Sequence, residues 1–220
     1  MKRQFLWGLA IVFVLLVYGA FRFPGALRDL SGLTGNLVIL ITYGLAFQLW
    51  LSGLENRTPE VMQAGWQTGM VIGVVFVVEM LLEYVLAPTD NSLLGFVEYG
   101  SVFAIILLLS AWIAYHTGKF RNGLFTAILG AMVGSMIWLM AVLAIYYIFH
   151  GTTRQTQVFR AEGTFEDFTR SGMTDFDAFV LQDFWRAGFF HSILLPMLAA
   201  ILGSVGGLLG ISLAWLRKWS

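Results

Sequence analysis

Six long apolar runs, separated by shorter polar segments, dominate the hydrophobic pattern of this chain. They cover residues 5–21, 33–54, 66–87, 93–115, 123–149 and 189–216. An α-helix rises about 1.5 Å per residue, so about 20 apolar residues cross the roughly 30 Å hydrocarbon core of a bilayer. The pattern therefore predicts an all-α integral membrane bundle of about six transmembrane helices, forming a single domain over residues 1–220.

The first apolar run follows Lys2 and Arg3, and a basic start of this kind also occurs in signal peptides. The apolar core of a signal peptide is about 7–15 residues long and ends at a cleavage site of small residues. This run is longer, and Arg22 and Phe23 stand where the small residues would be expected. We therefore expect the run to be retained as the first membrane span.

The longest polar segment, residues 152–188, is the only substantial part of the chain that we expect outside the bilayer. Thr174 is a suitable residue for the start of a helix, and an apolar stripe at helical spacing follows it. The stripe consists of Phe176, Phe179, Val180 and Phe184. This pattern predicts an amphipathic surface helix before the last span. The alternative interpretation is a lid over an outward-facing cavity.

Composition agrees with a membrane location and excludes several functions. Hydrophobic residues make up 58% of the chain and charged residues 12%, against about 45–50% and about 25% in soluble domains. The formal net charge is zero, so no basic field favours nucleic acid as a partner. Cysteine is absent, which excludes disulfides, catalytic thiolates and cysteine-ligated metals. The partner that the composition does predict is the lipid bilayer.

Basic and tryptophan residues predict the orientation of the spans. Six spans place both termini on one side, where seven basic residues lie, against six on the other side. Four of those six lie in the long segment 152–188, whereas the positive-inside rule is strongest for short loops. Six tryptophans also fall near the face that carries the termini: Trp7, Trp50, Trp66, Trp112, Trp215 and Trp219. We expect both termini to be cytoplasmic, in the plasma (inner) membrane.

Three glutamates lie inside the apolar runs. Glu79 and Glu83 are four residues apart and share a helix face, and the short turn after their run places Glu98 at a similar depth. An ionised carboxylate in hydrocarbon costs about 2.5 kcal/mol or more, so such groups are protonated, paired or turned toward protein. With His191 near the same surface, these residues are a candidate proton- or cation-binding site. The alternative is structural pairing of the carboxylates with His191 or Arg186.

Glycines recur at intervals of four in three of the runs, a spacing that lets two helices approach closely. The candidate packing positions are Gly65, Gly69, Gly73, Gly130, Gly134, Gly203, Gly207 and Gly210. We expect the third, fifth and sixth spans to form the packed centre of the bundle. Pro196 in the last run has no amide hydrogen, so it leaves the carbonyl of Ser192 without its helical partner.

Signatures of membrane enzymes are missing. The chain has no HExxH, GxSxG or phosphate-loop motif, and no aspartate lies inside an apolar run. We expect no cofactor and no metal, although three histidines and the buried glutamates could in principle bind zinc. The sequence favours a small transporter or transporter subunit over an enzyme. The alternative is a membrane scaffold or accessory subunit, whose glycine faces would contact other membrane subunits or a second copy of the chain.

Overall fold

The computed structural model describes residues 2–48, 59–86 and 92–217, and these residues fold almost entirely into helices. The α-helices are α1 (Lys2–Arg22), α2 (Ser31–Ala46), α3 (Pro59–Leu86), α4 (Ser92–Thr117), α5 (Phe120–Phe149), α6 (Thr153–Ala161), α7 (Thr164–Ser171) and α8 (Phe176–Arg217). A short 3₁₀ helix, Pro24–Arg28, joins α1 to α2. No strand occurs in the described ranges, and the predicted all-α class is confirmed.

Five of these helices are long and apolar enough to cross a membrane, namely α1, α3, α4, α5 and α8. The sixth predicted span, residues 33–54, corresponds in its described part to α2, which has 16 residues. At about 1.5 Å per residue α2 is only about 24 Å long. The remainder of that span lies outside the described residues, as do Trp50 and Trp219. Five such helices are compatible with a multi-pass membrane protein.

The bundle has two distinct ends because the long helices alternate in direction. We name the end where α1 begins and α8 finishes the terminal end, and the opposite end, which carries α6 and α7, the surface-helix end. At the terminal end the ring of Phe5 stacks on that of Phe47, with centroids 4.1 Å apart. At the surface-helix end the side-chain amide of Gln182 donates to the carbonyl of Ala26 over 3.0 Å.

Helix α5 forms the centre of the bundle. Of the residues in its most apolar stretch 61% are buried, against 39% or less in the other four long helices. Helix α3 packs along one side of it through glycine: a methyl group placed on Gly65 would lie 2.7 Å from Leu129. The same packing continues where Gly69 and Gly73 meet the α5 residues one and two turns further on. In return, Gly130 and Gly134 of α5 receive side chains of α3.

The glycines of α8 pack against helices on the other side of the bundle. Gly203 and Gly207 face α5, where Gly207 lies against Phe120, while Gly206 and Gly210 face α4. All the glycine positions singled out from the sequence therefore contact another helix of the same chain.

Helix α8 differs from the element that the sequence predicts. It runs without a break through 42 residues, about 63 Å, so the predicted amphipathic helix and the last span are one element. The backbone amide of Ala178 donates to Asp175 Oδ1 over 3.0 Å, which makes Asp175, rather than Thr174, the residue that caps its start. Gly188, near the expected break, is buried against Leu139 and is accommodated within the helix.

A buried polar contact joins α2, α5 and α8 in the interior of the bundle. The carbonyl of Ser192, which Pro196 leaves without a helical donor, accepts a hydrogen bond from the Tyr43 hydroxyl over 2.6 Å. The same hydroxyl lies 3.1 Å from the hydroxyl of Ser135. Two turns away, Asn36 Nδ2 donates to the carbonyl of Trp185 over 2.5 Å. These contacts fix α2 against α8.

Candidate functional site

A groove opens on the side of the bundle between α3 and α4, in the half nearer the surface-helix end. It has a volume of about 230 Å³. Its lining consists of Val74, Val75, Val78, Glu79, Leu82, Leu94, Val97, Glu98 and Ser101, and we name it the acidic groove. It exists because α3 packs mainly on α5 and α4 mainly on α8, so these two neighbours in sequence pack against each other less closely.

The helical register of α3 determines which of its residues face the groove. The glycine ridge that contacts α5 ends at Gly73, and buried Phe76, Met80 and Tyr84 follow it at helical spacing. Glu79 precedes Met80 by one residue, so it points about 100° away from that buried ridge. The contact between α3 and α5 thus turns Glu79 out of the core and into the groove.

The two carboxyl groups of the acidic groove come from different helices and have different surroundings. Glu98 is only 7% exposed, and within the described residues it makes neither a hydrogen bond nor an ion pair. Glu79 is half-buried, and its carboxyl group lies beside that of Glu83, one helical turn away. A hydrogen bond between two carboxyl groups requires a proton on one of them. The geometry around Glu79 is therefore suited to holding a proton.

A fourth carboxyl group, which the sequence does not reveal, stands beside this cluster. Glu162 lies between α6 and α7 and interacts electrostatically with Glu79 and Glu83. In the sequence it is one of several acids in an exposed polar segment, and nothing in that segment marks it. Its proximity results from the docking of α6 against α3. The surface-helix end of the groove is therefore strongly acidic.

His191 lies near the carboxyl groups but does not bind them directly. Its ring stacks on Trp138 with a centroid separation of 4.2 Å, and Nδ1 lies 2.8 Å from the carbonyl of Ala187. Its other nitrogen, Nε2, lies 3.4 Å from the hydroxyl of Tyr99, the residue next to Glu98. Tyr99 therefore stands between the histidine and the acidic groove.

Arg186 and His150 contact acids elsewhere. Arg186 pairs with Asp29 in the loop before α2. The backbone amide of Ser31 and the guanidinium of Arg186 lower the pKa of Asp29 to about 2, so this pair is charged at neutral pH. His150 contacts Asp177 over 3.1 Å. Among the described residues, the lining of the acidic groove contains no basic side chain.

A second groove follows the same two helices toward the terminal end. It has a volume of about 730 Å³, and its lining includes Trp66 and Trp112 with the polar side chains of Glu60, Gln63 and Gln67. We name it the polar groove. The surface between α3 and α4 thus carries polar groups at both ends, with an apolar stretch around Val71 and Val74 between them.

No group of three His, Asp or Glu side chains suitable for a metal ion occurs in residues 2–48, 59–86 and 92–217. Comparisons with protein-family models, with curated proteins and with solved structures found no match to this chain. What the acidic groove can do is therefore deduced from its own residues.

Proposed function

We propose that this protein is a subunit of a membrane transporter and that it binds a proton or a cation at Glu79 and Glu98. The observation that carries the proposal is the acidic groove itself. Two carboxyl groups from different helices line one small groove, and the described residues of its lining include no basic side chain to neutralise them.

The energetics of this arrangement favour uptake of positive charge. Two carboxylates that are close together in a poorly hydrated site repel one another, and each loses hydration that the groove does not replace. A proton on one group, or a cation between the two, removes the repulsion. The proximity of Glu79 to Glu83 favours a proton, because a protonated carboxyl group can donate a hydrogen bond to a neighbouring carboxylate.

The shape of the groove favours a subunit over a transporter that acts alone. The acidic groove opens sideways between exposed apolar residues, with Val74 and Val97 each 56% exposed. In a bilayer such an opening faces lipid chains, next to which an ionised carboxyl group is costly. A helix of another subunit lying along α3 and α4 would close both grooves and shield the carboxyl groups.

The proposed orientation follows from the distribution of charge. With both termini in the cytoplasm, the acidic groove lies in the outer leaflet of the plasma (inner) membrane and the polar groove near the cytoplasm. A proton or cation would then enter from outside, next to Glu162, and move along the surface between α3 and α4.

Infrared spectroscopy of the protein in lipid nanodiscs tests the binding site without requiring the partner. We expect a protonated-carboxyl band near neutral pH that is lost or shifted in Glu79→Gln and in Glu98→Gln. Glutamine keeps the size of the side chain but cannot titrate. Glu166→Gln, an exposed acid on α7, is the matched control and should leave the band unchanged.

Either of two results would support the proposal, and a third would contradict it. If sodium or potassium ions remove the protonated-carboxyl band, the site binds a cation. If the band persists when these ions are added, the site binds a proton. Identical spectra for wild type, Glu79→Gln and Glu98→Gln would show that neither carboxyl group carries a proton or exchanges it for a cation.

A membrane scaffold is the second candidate. The outer face of α4 favours it, because Phe96 is 79% exposed and Leu108 is 66% exposed. The glycine ridges contribute less to this alternative than the sequence suggests, since helices of the same chain fill them. A scaffold should assemble normally with Glu98→Gln and lose its partner with a bulky polar substitution such as Leu108→Gln.

A further inference from the structure

A pocket separate from both grooves lies at the terminal end, between the last turns of α4 and α8. It has a volume of about 470 Å³. Its lining consists of Tyr115, His116, Thr117, Gly118, Ile211, Ala214, Trp215 and Arg217, and we name it the terminal pocket. Nothing in the proposed transport function uses these residues.

The terminal pocket is basic. Arg217 and His116 belong to its lining, and Lys119 follows directly after Gly118 in the turn between α4 and α5. Arg121, two residues after Lys119, is exposed. The only acidic side chain at the terminal end of the described residues is Glu60, which lines the polar groove instead. The pocket therefore attracts anions.

Aromatic residues around the terminal pocket indicate its depth in the membrane. The guanidinium of Arg217 lies over the ring of Tyr115, 6.0 Å from the centroid, and donates to its hydroxyl over 3.4 Å. The ring of Trp112 lies 3.9 Å from that of His116. Tryptophan and tyrosine concentrate at the level of lipid headgroups, so the basic groups stand at the same level.

The two sides of the terminal pocket differ in polarity. Arg217, His116 and Thr117 form the outer side, whereas Ile211 and Ala214 form the wall that continues along α8 toward the hydrocarbon. A soluble anion would use only the polar side. A lipid would use both, since its phosphate would meet the basic groups while its acyl chains follow α8.

We propose that the terminal pocket binds the headgroup of an anionic phospholipid. Each Lys or Arg near an anionic membrane surface strengthens binding by about fivefold. Lys119→Gln and Arg217→Gln should therefore each weaken the binding of phosphatidylglycerol by about fivefold. Arg154→Gln, which removes an exposed charge from α6 at the opposite end, is the matched control and should bind like the wild type.

Native mass spectrometry of the full chain, released from micelles that contain equal amounts of phosphatidylglycerol and phosphatidylcholine, measures this preference. The proposal requires retention of phosphatidylglycerol by the wild type and by Arg154→Gln, with binding weaker by about fivefold in the other two variants. Lys119 is exposed in a turn, so its replacement tests the pocket even if Arg217→Gln proves unstable. Equal retention of the two lipids, or an equal loss in all variants, would overturn the proposal.

A further arm adds inorganic phosphate before the measurement. If millimolar phosphate displaces the lipid completely, the pocket recognises a soluble phosphate compound and the lipid assignment is wrong. Persistence of the bound lipid supports recognition of the headgroup together with its chains. Neither outcome depends on Glu79 or Glu98, so this test and the test of the transport site can fail independently.

Discussion

The Tyr43 hydroxyl replaces a hydrogen bond that the backbone of α8 cannot make. Pro196 removes the amide that would pair with the Ser192 carbonyl, and that carbonyl is buried in the bundle. An unpaired buried carbonyl costs about 1–3 kcal/mol. Tyr43 therefore offsets this cost and at the same time fixes the position of α2, since its side chain reaches from α2 to α8.

The first prediction concerns Tyr43 and Pro196. Tyr43→Phe should lower the free energy of unfolding by about 1–3 kcal/mol, because the phenyl ring keeps the packing and removes the donor. In a Pro196→Ala background the backbone amide of residue 196 can pair with Ser192, so the same tyrosine substitution should cost much less. Unfolding of the four proteins in mixed micelles gives the coupling between the two positions.

Equal effects of Tyr43→Phe in the two backgrounds would contradict this account. The hydroxyl would then act through Ser135 alone, and α8 would satisfy its own carbonyl by another route.

Single residues also show how far the sequence can be interpreted. Glu79, Glu83 and Glu98 are conspicuous because a charge inside an apolar run is costly and rare. Glu162 and Tyr43 are not conspicuous, because an acid in a polar segment and a tyrosine in an apolar run are both common. Their roles depend on which helices lie side by side, and local pattern contains no information about that.

At the scale of helices, the glycine ridge of α3 sets the orientation of the acidic groove. Rotation of α3 is fixed where Gly69 meets Val133 and the backbone of Gly130. The sequence predicts such ridges from their spacing, and it predicts the long helices from their apolar length. It does not predict the groove, because the groove results from the different partners of α3 and α4.

The second prediction compares two glycines. Gly69→Ala should destabilise the fold by about 1–3 kcal/mol, because the added methyl group would lie 2.8 Å from the Gly130 carbonyl, which cannot move aside. Gly100→Ala is the control: it lies in the interior of α4 with no neighbouring atom within 4 Å. This substitution should be neutral or should stabilise by about 0.5–1 kcal/mol, because alanine favours a helix.

Thermal unfolding of the wild type and both variants in one detergent measures these changes in stability. If the two substitutions change stability equally, the close contact between α3 and α5 does not contribute to stability. Retention of wild-type stability by Gly69→Ala would also imply that Glu79 can rotate away from the groove.

At the scale of the whole molecule, the charges at the two ends predict how the bundle lies in the membrane. Among the described residues, basic side chains outnumber acidic ones at the terminal end, and most of the described acids lie at the surface-helix end. A cytoplasmic leaflet with anionic lipids attracts the terminal end, in agreement with the positive-inside rule.

The third prediction tests this orientation. The chain contains no cysteine, so single cysteines can be introduced without background labelling. A membrane-impermeant maleimide should label Ser171→Cys in intact cells and should label Lys119→Cys only after the membrane is opened. Both positions are exposed, so accessibility within the fold is comparable. The reverse pattern would place the acidic groove at the cytoplasmic side.

The segment of α8 before Pro196 is long enough for a small bend at the proline to move its far end by a large distance. From its first residue to Pro196 the helix extends over 20 residues, about 30 Å, and proline is the position at which a helix bends most readily. A change of about 10° in that bend would swing the far tip by about 5 Å. Through Arg186 and Asp29 the swing would pull on the loop between α1 and α2, so a small tilt inside the bilayer would become a visible displacement at the surface.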